Sequence, residues 1–204
     1  MTAGFPVSPL PGLHRPLSDS EADSLDKYLK ILTKWQRAHR LVGSTDRAWL
    51  IEHIVVDSIA FLGVVPSHAR RLVDIGSGAG VPGVPIAVVC GSMEVVMVEA
   101  MRRRASFLST VVRELGLPNA HVLEARVEHL TEQYERTFDV AVMRCAGPAA
   151  DLLPHAMRLV RHGGCVIAAS GPEPTPVESD VDGGQPVAIP HGDARRHFRV
   201  WSVK

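Results

Sequence analysis

Apolar positions change their period near residue 66 of this 204-residue chain, and the two regimes predict different architectures. In the first third, apolar residues recur every three to four positions. Leu25, Tyr28, Leu29, Leu32 and Trp35 form one stripe of an amphipathic helix. Ser18 or Asp19 caps it, with Glu21 and Asp23 in its first turn. A second helix is predicted over 46–62, with Ile51, Ile54, Val55, Ile59 and Phe61 facing inward. Beyond Pro66, short apolar runs alternate with helical patterns. Strands are predicted at 71–75, 94–98, 120–123, 138–143 and 165–169, and helices at 81–90, 101–115 and 149–161. Gly163 and Gly164 read as the stop of the last of these helices. Such alternation predicts an α/β fold: a doubly wound, mostly parallel sheet with right-handed crossovers. Segments 187–189 and 197–203 alternate with period two and predict an antiparallel closing hairpin. Residues 1–17, with Pro6, Pro9, Pro11 and Pro16, read as a flexible arm, and 171–185 as a flexible loop rich in proline, acids and glycine. The expected division is an arm over 1–17, a helical extension over 18–65 and one compact α/β unit over 66–204.

The first predicted strand runs straight into Asp74-Ile75-Gly76-Ser77-Gly78-Ala79-Gly80-Val81-Pro82-Gly83. A strand, a glycine-rich turn and a helix start form the part of an open α/β sheet where nucleotides bind. Gly76 and Gly78 permit backbone angles and a close ligand approach that a Cβ would block. Asp74 ends the strand, where a carboxylate reaches ligand polar groups. The dinucleotide fingerprint G-x-G-x-x-G would need a third glycine at position 81, which is Val81. The observed Asp-x-Gly-x-Gly-x-Gly spacing instead resembles the first motif of class I S-adenosylmethionine-dependent methyltransferases, with a Rossmann-like sheet. In that family the acid and glycines hold the amino-acid end of the cofactor.

Composition narrows the setting. Formal net charge is zero, which argues against a protein held to nucleic acid by bulk charge and leaves room for a local basic patch. Three widely spaced cysteines (Cys90, Cys145, Cys165) fit neither a disulfide framework nor a metal site, so a reducing cytoplasm is expected and no metal. No apolar run approaches the roughly 18 residues of a membrane span. The start of the chain lacks a basic-then-apolar signal layout.

Ligands in such sheets bind beyond the strand C-termini, so the residue after each strand is informative. Glu99, with Ala100 behind it, follows the second strand; a carboxylate there accepts both ribose hydroxyls. Glu124-Ala125-Arg126-Val127-Glu128 follows the third and makes a wall for adenine. Arg144 follows the fourth, on the side of the transferred group. His53 and Asp57 share one helix face, as a surface pair or as part of the site mouth. Arg102, Arg103 and Arg104 open a helix against its dipole; an anionic RNA partner and ordinary solvated charge both account for them. His39 and Arg40 are placed to join them in one patch.

A narrower resemblance then emerges. Leu32-Thr33-Lys34-Trp35, Glu52-His53-Ile54-Val55-Val56-Asp57-Ser58, the loop from Asp74 to Pro85, Arg103-Arg104-Ala105-Ser106-Phe107-Leu108, Ala125-Arg126-Val127-Glu128 and the run from Phe138 to Ala146 resemble the small-subunit (16S) ribosomal RNA guanine-N7 methyltransferases, also called glucose-inhibited division protein B. The resemblance covers roughly 25–170. It implies S-adenosyl-L-methionine as cofactor. It implies cofactor contacts from Asp74, Gly76, Gly78, Glu99, Arg126 and Val127, and Ser77, Gly80, Ala100 and Glu128 beside them are expected to join the cofactor site. Substrate contacts would come from Arg40, His53, Arg104 and Arg144, with Arg144 catalytic. The implied partner is ribosomal RNA or the small ribosomal subunit, with no membrane and a monomeric chain. Two departures bear on substrate: Arg40 stands where the family usually has asparagine, and Ser170-Gly171 where it has lysine-glycine. Two alternatives follow from them, a small-molecule methyltransferase of the same fold and a non-catalytic module that binds the cofactor or the ribosome.

Overall fold

A computed structural model describes residues 4–6, 9–144, 149–169, 183–191 and 194–204. Helix α1 (Asp19–His39) begins in a capping box, where the Ser18 side chain accepts from the Glu21 amide and the Glu21 side chain accepts from the Ser18 amide. Its apolar stripe, including Leu25, Tyr28, Leu29 and Leu32, is buried. It ends at Arg40 in the left-handed conformation (φ 46°, ψ 59°).

The second predicted helix is continuous but not uniform. Asp46 accepts from the Trp49 amide and starts α2 (Arg47–Leu50). The chain then widens into a π-helical turn over Ile51–Val56, returns to α3 (Asp57–Ile59), and tightens into a 3-10 turn over Ala60–Gly63.

Seven strands follow in one sheet: β1 (Arg71–Ile75), β2 (Glu94–Glu99), β3 (Ala120–Glu124), β4 (Phe138–Met143), β5 (Val160–Ala169), β6 (Gln185–His191) and β7 (Ala194–Ser202). Their order is β3-β2-β1-β4-β5-β7-β6. The pairs among β1 to β5 are parallel, whereas β7 runs antiparallel to β5, and β6 to β7. The crossovers carry α4 (Gly83–Val89), α5 (Arg102–Leu115) and α6 (Ala149–Leu159). Because side chains alternate along a strand, Leu72 joins one core with α1, α4 and α5, while its neighbour Val73 joins a second core with α6. Reversal of strand order between β1 and β4 opens a crevice at the strand C-termini.

Two expectations are corrected. The first concerns the arm: Phe5, Leu10 and Leu17 are 4, 2 and 9% exposed and belong to the same core as α1. These apolar side chains gain more from burial than a proline-rich stretch gains from freedom. The second concerns Gly163-Gly164. Helix α6 ends at Leu159, β5 begins at once, and the glycines lie inside it, where the register against β4 shifts between Phe138 and Val140. Gly163 has φ 79°, and a Cβ on Gly164 would collide with the Asp139 carbonyl, so the pair makes a bulge rather than a helix stop. The predicted loop over 171–185 lies almost wholly outside the described residues, as does Cys145. Among the described residues, no helix is long and apolar enough to cross a membrane.

Candidate functional site

The glycine-rich loop is held by two carboxylates, Asp74 and Glu99. Asp74 is fully buried, and its Oδ2 accepts from the Gly83 amide at 2.9 Å, which fixes the start of α4. Ser77 is equally buried, and its hydroxyl donates to the Asp74 carbonyl at 3.0 Å. Burial is the largest influence on the Asp74 carboxyl and pushes it up to about 7, with the Glu99 charge adding to the rise and the Gly83 amide and Arg144 charge opposing it. Oδ1 of Asp74 is buried with no hydrogen-bond partner among the described residues. Oδ2 of Asp74 and the Ser77 hydroxyl are thus engaged within the loop itself, and β1 turns position 74 to the same side as Leu72. Gly80 is closely packed, against Val84 and Leu108. At φ 87°, a Cβ there would stand 2.6 Å from Val84 Cγ2.

Glu99, 4% exposed at the end of β2, clamps the loop from its other side. Oε2 accepts from the Gly78 amide at 2.9 Å and Oε1 from the Met101 amide at 2.7 Å. Each oxygen keeps a further acceptor position for a ligand hydroxyl.

Beside this loop lies a cavity of about 140 Å³ lined by Ile75, Gly76, Val98, Ala100, Ala125, Arg126, Val127, Glu128 and Leu152. It gathers the ends of β1, β2 and β3. Five residues singled out in the sequence meet in it: Gly76, Ala100, Arg126, Val127 and Glu128. Apolar side chains and polar groups share the lining, and Arg126 and Glu128 are exposed at the rim.

A second cavity, of about 250 Å³, is lined by Arg37, Ala38, His39, Arg40, Met101, Arg103 and Arg104. It forms where the end of α1 meets the start of α5. Arg37, Arg40, Arg103 and Arg104 have no carboxylate partner among the described residues. This basic patch reaches the glycine-rich loop, for a Cβ on Gly78 would lie 3.9 Å from Arg104 Nη1, and Ala100 of the first cavity and Met101 of the second are adjacent in the chain. Arg40 and Arg104 thus fall together, with Arg37, which nothing in the sequence had singled out.

Arg144 and His53 meet elsewhere. Arg144 Nη2 donates to Asp57 Oδ2 at 3.0 Å, and His53 Nδ1 lies 3.4 Å from the same oxygen. His53 also packs on Trp49, with ring centroids 4.8 Å apart. Asp57 Oδ1 accepts from Arg196 Nε, and Arg196 Nη2 reaches Glu52. Glu52 and Arg196 are 144 positions apart, and no spacing rule connects them.

The chain can now be set beside known proteins. The family model described as GidB, rRNA small subunit methyltransferase G, matches residues 21–176. A ribosomal RNA small subunit methyltransferase G from Leptothrix cholodnii is 34% identical over 197 residues, covering 91% of this chain and 88% of that protein. The protein of the same name from Azoarcus sp. is 35% identical, covering 84% of this chain and 82% of its own length. Solved structures share the fold: cofactor-bound Rv0187 from MTB superposes with a TM-score of 0.57 at 15% identity over 89% of both chains. A putative O-methyltransferase from Klebsiella pneumoniae gives 0.56 at 14% identity, over 89% of this chain and 90% of that one. On the strength of the matched model and of relatives aligned over most of both lengths, the chain belongs to the GidB family of rRNA small subunit methyltransferases G.

Proposed function

We propose that this chain, as a monomer, transfers a methyl group from S-adenosyl-L-methionine to guanine N7 in small-subunit ribosomal RNA. One observation carries the reading: a cavity at the strand ends that Gly76 and Ala100 line, and a basic cavity that Met101 and Arg104 line, with Arg104 lying against Gly78 of the same loop. The names of the relatives support the rRNA substrate.

The residues present fit the cofactor. Ile75, Val98, Ala125, Val127 and Leu152 offer apolar walls to an adenine ring, with polar groups at the rim. Glu99 retains acceptor positions for ribose hydroxyls while its loop bonds preorganise it. Asp74 and Ser77 act through the loop: they fix the backbone of Gly76 to Gly83 that the methionine end approaches. When bound, S-adenosyl-L-methionine supplies an electrophilic methyl group on its sulfonium.

Guanine N7 carries a free lone pair at neutral pH, so this chain needs no general base. Its work is alignment, which converts a bimolecular encounter into a positioned one. Arg144 donates to guanine O6 or a flanking phosphate, leaving N7 open, with Arg126 at the cavity rim as a second donor. The basic cavity takes the RNA backbone, and the target base is unstacked, since a paired base hides its edge.

The test is methyl transfer from labelled S-adenosyl-L-methionine to small subunits lacking the modification, with the product base identified. Label at a guanine N7 is expected. Confirmed cofactor binding without incorporation into RNA refutes the reading. The paired substitution Arg37→Ala and Arg103→Ala is expected to raise KM for RNA and to flatten its salt dependence, by about 0.7 in log-log slope for each single-strand phosphate no longer neutralised.

A further inference from the structure

We propose that Asp57, braced by Arg196 of the closing hairpin, is a positioning residue for Arg144. The inference rests on the placement of Arg144 beside the substrate.

Three separate parts of the chain converge on one carboxylate. Asp57 Oδ2 accepts from Arg144 Nη2 at 3.0 Å, and its Oδ1 accepts from Arg196 Nε on β7. Arg196 also bonds Glu52, whose Oε1 lies 3.1 Å from His191 Nε2 on β6. Asp57 and Arg144 have side chains only 17% exposed, and Arg196 20%. Burial at this level makes geometry matter, because water cannot cheaply replace a missing partner.

The arrangement orients Arg144 without saturating it. Its Nη2 is engaged, while its Nη1 is buried with no partner among the described residues. Most buried donors in folded proteins find a partner. An orphan donor at the end of β4, beside the sheet crevice, suits an acceptor brought by the substrate. The helix leading to Asp57 adds an independent sign. The π-helical turn Ile51–Val56 ends immediately before Asp57, and such turns are rare and cluster at functional sites. Glu52, on that turn, and Asp57 both bond Arg196, so the widened turn presents two carboxylates to one guanidinium. The hairpin that closes the sheet thereby reaches the residue after β4 through a single carboxylate.

The test is a double-mutant cycle on the whole chain, with methyl transfer to unmodified small subunits and cofactor binding measured separately. Asp57→Asn and Arg196→Ala are expected to lower kcat about tenfold and threefold, with cofactor Kd within twofold of wild type. In an Arg144→Ala background, Asp57→Asn is expected to lower kcat less than twofold further, and Arg196→Lys to recover part of the loss seen with alanine. Multiplicative effects of Asp57→Asn and Arg144→Ala, or wild-type kcat in Asp57→Asn, would overturn the proposal. Should Asp57→Asn melt well below wild type, Arg196→Ala against Arg144→Ala gives the same cycle from the hairpin side, and additivity there overturns it equally. Wild-type kcat in Arg144→Ala would instead remove Arg144 from the substrate side, and absence of any RNA methylation by wild type would remove the function itself.

Discussion

Replacing Asp74 with asparagine isolates the cost of a charge under the glycine loop. The side chain keeps an oxygen for the Gly83 amide and loses only the ability to ionise. Burial is the largest cause that raises this carboxyl from 3.8 to about 7 in the folded protein. The folded state therefore binds the proton more tightly than the unfolded chain. Stability from this group is fully present below about 3.8 and is lost as pH rises through about 7. At about 1.4 kcal/mol per pK unit, the stability lost relative to low pH is roughly 2 kcal/mol at pH 5, where only the unfolded chain ionises, and roughly 4 kcal/mol at pH 8, where the buried group ionises as well. Wild type should lose about 2 to 3 kcal/mol across that interval that Asp74→Asn does not lose. For a chain of this size the difference is a relative rise of roughly 4 to 12 °C in Tm for the variant at pH 8 compared with pH 5. Thermal unfolding of both proteins, followed by circular dichroism at pH 5, 6, 7 and 8, measures it. Parallel Tm curves over this range would refute the reasoning, because they would mean that Asp74 titrates equally in the folded and unfolded chains.

Further expectations follow from the same geometry. Gly80→Ala combines φ 87° with a Cβ 2.6 Å from Val84 Cγ2; urea unfolding should show a loss of about 2 to 4 kcal/mol. Gly116→Ala, at φ 62° with open space around it, should lose only about 1 kcal/mol in the same assay. Glu99→Gln sets an amide donor against the Gly78 or Met101 amide, so calorimetry should find cofactor affinity at least about tenfold weaker, near 1.4 kcal/mol. Arg40→Asn relieves a left-handed arginine and should raise stability by about 0.5 to 1 kcal/mol in thermal unfolding.

Periodicity alone determined much of this protein. Short apolar runs such as Leu72-Val73-Asp74-Ile75, set between helical patterns, predicted the strands, and the apolar stripe from Leu25 to Leu32 predicted α1 with its cap. The glycine spacing after Asp74 predicted the loop. These features are legible because they depend on neighbours within one helical turn or one pleat. Gly76, Ala100, Arg126, Val127 and Glu128 were also within reach, since every strand end in such a sheet faces one edge, and they do line one cavity. Tertiary structure decided the rest. Whether Asp74 meets ligand or loop depends on which face of β1 turns inward and on what packs there; the structure buries it completely. Gly163-Gly164 read as a helix stop because the chain carries no local trace of the Asp139 carbonyl that the bulge must accommodate. The basic cavity needed the end of α1 laid against the start of α5. Arg196, 139 positions beyond Asp57, meets it only because β7 closes the sheet beside β5. Pairings at that separation leave no periodic signature; they arise when buried charges must find partners among whatever the folded chain brings near.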